Sequence, residues 1–274
     1  MVQAHHQQRR VDVGGDQLQT LSPLHVVGWI EAMKADGVAI PTIKARLAAV
    51  RRLLQYVAQA GLLRFNPAAV VRGPKHSVKR GKTPVLSPDE ARQLLDAIDA
   101  QLLVGLRDRA LIATMVYSFA RIGAVIALRV EDVFQQQRRL WLRLHEKGGK
   151  LLDVPCHHTL EAYLSEYMER AGLAAMPKAP LFQTLDSGRT AVSGRPLSQP
   201  LAWEMVQRRM RNAGIATAAC NHTFRATGIT AYLKNGGTLE RAAAMANHAS
   251  TRTTQLYDRR PDDITLDEIE KIRI

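Results

Sequence analysis

Apolar residues recur at helical spacing along most of this chain, and the breaks between those runs mark where elements stop. Ser22-Pro23 reads as a cap followed by proline at the first helical position, with Val26, Val27, Ile30 and Met33 inward and Gly37 beyond the end. A second run, from about Thr42 to Ala60, places Ile43, Leu47, Val50, Leu53, Leu54 and Val57 on one face. Ser87-Pro88-Asp89-Glu90 has the form of a capping box opening a helix through Leu94, Leu95 and Ile98, and a mostly apolar helix follows near residues 106–118. The period then changes. Residues 139–145 alternate, with Leu140, Leu142 and Leu144 on one face, and the text from Leu151 supplies a returning strand. Residues 146–150 become a hairpin tip whose glycines supply positive φ.

Helical spacing returns over about 158–171, where Leu160, Tyr163, Leu164, Tyr167 and Met168 share a face, and again after the cap Ser198. Residues 173–198 are rich in Pro, Gly, Ser and Ala and read as a long loop broken by a short strand at Leu181-Phe182. His222 and Arg225 stand one turn apart on the next helix, which Gly236-Gly237 ends, and His248 and Tyr257 follow on two short helices. The whole predicts a mainly α protein with a small antiparallel β-sheet. Residues 1–18 are polar and aperiodic and read as a disordered extension, 19–72 as a helical domain, 73–84 as a linker and 85–274 as an α+β domain with a carboxyl-terminal tail. In the tail, Ile264, Leu266, Ile269 and Ile272 form a segment too short to fold alone.

Charge narrows the class of partner. The 274 residues carry 38 Lys+Arg against 25 Asp+Glu, a net +13, which suits a polyphosphate but equally a ribosomal or membrane-surface protein. The cations also cluster. Lys44, Arg46, Arg51 and Arg52 lie on the second helix, Arg72, Lys75, Lys79, Arg80 and Lys82 in or beside the linker with no acid among them, and Arg208, Arg209 and Arg211 on the helix after Ser198. A solvated basic face and a DNA-contacting one fit the first of these groups equally well. Two cysteines, Cys156 and Cys220, argue against a disulfide scaffold and for a reducing cytoplasm. No apolar run approaches a membrane span. Cys156-His157-His158 lacks a second ligand pair at metal-like spacing, so no metal is expected; Cys156 reads as core.

The densest chemistry lies in NHTFRATGIT…AAAMANHASTRTTQLYDRR, where imidazoles and a guanidinium precede one tyrosine in a polar setting. A phosphodiester gains charge on its non-bridging oxygens as a nucleophile adds, so fixed cationic donors lower that barrier selectively. Tyrosine is a nucleophile such a site can use. Upstream, Arg121 sits beside an apolar run, where an unpaired cation is costly. Taken singly it reads as well as an ion pair with Asp132 or another carboxylate.

Arg121, the turn Lys147-Gly148-Gly149-Lys150, His222-x-x-Arg225, His248 and Tyr257, in that order, resemble the tyrosine recombinases, or phage integrases, over the chain from about residue 20 onward. Three positions depart from the family pattern: Ala124 where an acid is usual, Asn247 where glycine is, and Ala226 where another histidine is frequent. The resemblance implies a helical core-binding domain, with one helix fewer than usual as in a truncated module, plus an α+β catalytic domain. It implies that Tyr257 forms a 3′-phosphotyrosine, Arg121 and Arg225 hold the phosphate oxygens and His248 hydrogen-bonds the phosphate. His222 then assists proton removal from Tyr257, and Lys147, chosen over Lys150, protonates the leaving 5′ oxygen. No cofactor is implied. The partners implied are double-stranded DNA, a homo-tetramer on paired sites and an accessory DNA-bending or directionality factor, as for a mobile-element integrase. A catalytically impaired DNA-binding remnant and a type IB topoisomerase-like enzyme stand as alternatives.

Overall fold

The computed structural model describes residues 18–78, 81–146 and 148–259. The extension over 1–17, Lys79, Arg80, Lys147 and the tail from Arg260 lie outside the described residues. The chain divides into two compact units, Met1–Val78 and Lys79–Ile274.

The first unit is built on two helices, α1 (Pro23–Ala35) and α2 (Ile40–Gln59). Val26, Ile30 and Met33 of α1 meet Ile43, Leu47 and Leu54 of α2, and Leu63, Ala68 and Val71 of the following segment close the core. The apolar stripe is narrower than the periodicity predicts. Val27 is 41% and Leu53 60% exposed, because a helix with one partner helix and one covering loop buries only a narrow face. Arg51 turns inward, its Nε donating to the Ala68 carbonyl at 3.1 Å and its Nη2 to that of Val71, while Asn66 Nδ2 donates to the Arg51 carbonyl at 3.0 Å. Its guanidinium thus pins the covering loop.

In the second unit, α3 (Pro88–Asp96) opens with the expected reciprocal cap: Glu90 N donates to Ser87 Oγ at 3.1 Å and Ser87 N to Glu90 Oε2 at 2.8 Å. The long helix α4 (Leu103–Tyr117) is almost wholly buried, as its composition requires. A short helix α5 (Ile122–Ile126) leads to the sheet β1 (Val133–Gln136), β2 (Arg139–Glu146) and β3 (Lys150–Pro155), antiparallel in that order. Register places Leu142 between Val133 and Val154 and Leu144 opposite Leu152, and both leucines are fully buried. Gly148 and Gly149 take φ of 84° and 75° at the tip. Cys156 is buried and its thiol is pushed up to about 12, chiefly by desolvation, before α6 (His158–Arg170) begins.

The loop over 173–198 hides a second sheet. Strands β4 (Gln183–Leu185) and β5 (Val192–Pro196) pair antiparallel, and Leu181-Phe182, the expected strand, instead anchors this hairpin to the core. Helix α7 (Gln199–Asn212) starts at its Ser198 cap. Helix α8 (Asn221–Lys234) passes so close to α4 that a Cβ on Gly228 would lie 2.0 Å from the Val116 carbonyl oxygen. Two short helices, α9 (Leu239–Met245) and α10 (Thr251–Gln255), complete the described chain. Periodicity places His248 and Tyr257 on these short helices, but they lie in the turns after them, where their backbone N–H groups donate to the Ala243 and Thr254 carbonyls.

Candidate active site

Helix α8 carries Arg225 in a stretch buried from Thr223 to Thr230, leaving the residue 2% exposed. A guanidinium placed there must find acceptors. Its Nη1 donates to the Phe119 carbonyl, and its Nη2 meets the Ala246 carbonyl at 2.5 Å and His248 Nε2 at 2.7 Å. Both carbonyls belong to turns with left-handed backbone: Phe119 itself has φ 54°, and Asn247, next to Ala246, has φ 45°. Such turns are strained for a residue with a side chain, and they deliver Arg121 and His248 respectively. Position 247 therefore accepts asparagine in place of glycine because asparagine is among the residues that enter this conformation most readily. Burial first, then the neighbouring Arg121, brings the Arg225 pKa down to about 10, with Tyr257 and Glu146 opposing. It remains charged at neutral pH.

Arg121 caps α5, and its Nη1 donates to Glu146 Oε2 at 2.5 Å. The arginine side chain is 38% exposed and that of Glu146 2%, so a buried carboxylate holds a partly open guanidinium. Asp132, the partner that proximity in sequence suggests, is instead bonded to His145 and the Arg129 backbone. Glu146 escapes a reading of the sequence. Its only signal there is its place before the hairpin turn, at the end of an alternating strand whose inward positions are Leu142 and Leu144. Ala124, where the family pattern has an acid, is a buried residue of α5.

His248 is neutral at pH 7. Burial first, then Arg225 and Arg121, pushes it down to about 4. Its ring stacks on Tyr257 with centroids 5.9 Å apart and planes 6° from parallel. Thr230 Oγ1 donates to the Tyr257 carbonyl at 2.8 Å, fixing the tyrosine to α8. Of the other tyrosines, Tyr167 is buried with its hydroxyl on the Leu181 carbonyl, Tyr117 stacks on His157, Tyr163 lies under the Arg109 guanidinium and Tyr56 is exposed on α2, while Tyr232 packs on Phe119 in the same apolar cluster as Tyr257.

Arg225, Arg121, His248 and Tyr257 thus form one group. His222 lies exposed on the first turn of α8 and makes no hydrogen bond or ion pair among the described residues. Lys147 lies outside them, while Lys150 is exposed and pairs in register with Glu146. Of the surface cations, Lys44, Arg46, Arg52, Arg72, Lys75, Lys82 and Arg211 are exposed. Arg208 and Arg209 both reach Asp108, a fully buried carboxylate that Arg107 also engages. Arg209 is largely buried there, and Arg208 keeps a half-open side chain. No group of three or more potential metal ligands occurs among the described residues, nor any helix long and apolar enough to cross a membrane.

A charged fork, a neutral imidazole and a phenol at one end of a helical core suit an anionic tetrahedral group attacked by the phenol oxygen. The profile of the phage integrase family matches residues 84–262, and the chain belongs to that family. Tyrosine recombinase XerD of Listeria monocytogenes serotype 4b (strain F2365) is 25% identical over 240 residues, covering 87% of this chain and 78% of that protein. Among solved structures, the XerH site-specific recombinase in a post-cleavage complex with palindromic difH substrate aligns with a TM-score of 0.71 at 20% identity, over 88% of this chain and 70% of that one. A lambda integrase tetramer bound to a Holliday junction aligns at 0.66 and 16% identity, over 91% and 69%. At these identities the solved structures speak for the fold alone.

Proposed function

We propose that this protein is a site-specific DNA recombinase that breaks and rejoins duplex DNA through a 3′-phosphotyrosine on Tyr257. The observation that carries the reading is the contact set His248–Arg225–Tyr257, with Arg121 close enough to depress the Arg225 pKa. Tyr257 Oη attacks the scissile phosphorus, the P–O5′ bond breaks and the 5′ oxygen leaves as a hydroxyl. Arg121 and Arg225 hold the non-bridging oxygens, His248 steadies the Arg225 guanidinium through Nε2, exposed His222 assists removal of the phenol proton, and Lys147 protonates the leaving oxygen. Because the phosphotyrosine keeps the energy of the diester, rejoining needs neither ATP nor a metal.

The exposed cations of α2, the linker and Arg211 supply sequence-independent phosphate contacts. A homo-tetramer on paired sites is the assembly we propose, supported by the likeness in fold to a lambda integrase tetramer on a Holliday junction, and the cytoplasm is the proposed compartment, supported by the free thiols of Cys156 and Cys220. The Glu146 carboxylate on Arg121 and the left-handed turn that suits Asn247 support an active enzyme over an impaired remnant.

A nicked suicide substrate made from the flanking repeats should trap a covalent adduct that Tyr257→Phe abolishes with half-site affinity unchanged, because phosphate contacts dominate binding. An adduct in the phenylalanine variant would place the nucleophile elsewhere. Relaxation of supercoils by the monomer without strand exchange would favour a topoisomerase.

A further inference from the structure

Thr254 is fully buried, three residues before Tyr257, and holds two parts of the site at once. Its Oγ1 lies 2.8 Å from His248 Nδ1, and its carbonyl accepts the Tyr257 backbone N–H at 2.9 Å. The direction of the first bond follows from the other edge of the ring. Nε2 faces Arg225 Nη2 at 2.7 Å, and a guanidinium only donates, so Nε2 presents its lone pair. A neutral imidazole has one N–H, which must then be on Nδ1 and donate to Thr254. The low pKa of His248 agrees with a neutral ring.

We infer that Thr254 is a positioning residue for strand cleavage: its hydroxyl fixes the Nδ1–H tautomer and the orientation of His248, while its carbonyl seats Tyr257 under that ring. With Nδ1 held, the ring cannot flip. Its Nε2 edge stays on the guanidinium that receives the phosphate, and its face stays on the phenol. This rests on the recombinase reading above, which supplies the phosphate and the nucleophile. A β-branched residue serves well because its side chain is stiff at χ1 and its methyl fills the buried site.

The test combines histidine nitrogen-15 NMR on the full chain without DNA, with His248→Gln assigning the signal, and adduct formation on the suicide substrate. The wild type should show His248 protonated at Nδ1 and bare at Nε2. Thr254→Val should lose or mix that tautomer and slow adduct formation about tenfold or more at unchanged half-site affinity. Thr254→Ser should restore both, to within about threefold in rate. An Nε2–H tautomer in the wild type overturns the inference, and it does so even where the valine variant fails to fold. Slow cleavage by Thr254→Val with an unaltered tautomer also overturns it, leaving a packing role. A wild type with the expected tautomer and no adduct defeats the recombinase reading, and with it the positioning role.

Discussion

At the residue scale the site is governed by where one guanidinium can put its donors. Arg225 binds two carbonyls from separate turns and an imidazole, so it organises the approach to Arg121 and His248 as well as offering charge. Lysine keeps the charge but cannot reproduce the fork. Arg225→Lys should therefore cut adduct formation by about 10²-fold or more and also destabilise the fold by about 1–3 kcal/mol through carbonyls left unpaired. Cleavage within a few-fold of wild type would make this arginine a structural residue only. His248 gives a pH signature. Its folded pKa of about 4 lies below its ordinary 6.5, so the unfolded chain binds the extra proton between those values. The stability tied to its neutral form is complete above about 6.5 and is lost as pH falls toward about 4. Urea midpoints at about pH 7 and about pH 5 should differ more for wild type than for His248→Gln; equal differences would show that the ring titrates normally.

At the element scale, α8 must lie almost against α4 for Arg225 to reach the Phe119 turn. Gly228 permits that crossing, since a Cβ there would meet the Val116 carbonyl oxygen at 2.0 Å and the Phe119 ring at 2.9 Å. Backbone cannot yield as a flexible side chain does. Gly228→Ala should cost about 2–3 kcal/mol and reduce cleavage with it, read by denaturant unfolding and adduct yield; a change below about 0.5 kcal/mol would show that the helices separate freely. Most elements were legible because their signals are local. Ser87 and Glu90 cap α3 reciprocally, alternation over 139–145 gives β2, and the apolar text of 106–118 gives the buried α4. The β4–β5 hairpin was not, because strands of three and five residues in Gly- and Pro-rich text show no usable period. Pairing and the anchors Leu181 and Phe182 make it a sheet.

At the scale of the whole molecule, net charge and its placement govern DNA affinity. Replacing Lys79, Arg80 and Lys82 by alanine should weaken binding to all sequences alike and flatten the salt dependence by about 0.9 log units for each phosphate that these cations neutralise. An unchanged slope in a salt titration would mean that the segment is merely solvated. Arg51→Ala, in contrast, should destabilise the first unit through the freed Ala68 and Val71 carbonyls and leave the slope alone. The difference separates cations that serve the fold from those that face solvent.

The sequence by itself determined the class of fold and the family, and it pointed to Arg121, Arg225, His248 and Tyr257, because helix caps, periodicities and the order of those four residues are written locally along the chain. Only the tertiary structure decided which charges pair. Arg121 chooses Glu146 over Asp132, Arg51 and Arg209 turn inward, and Arg225 joins the turn at Phe119 to the turn at Ala246, which lie far apart along the chain. Ion pairing inside a protein depends on distance and burial in three dimensions, and neither is a function of separation along the sequence.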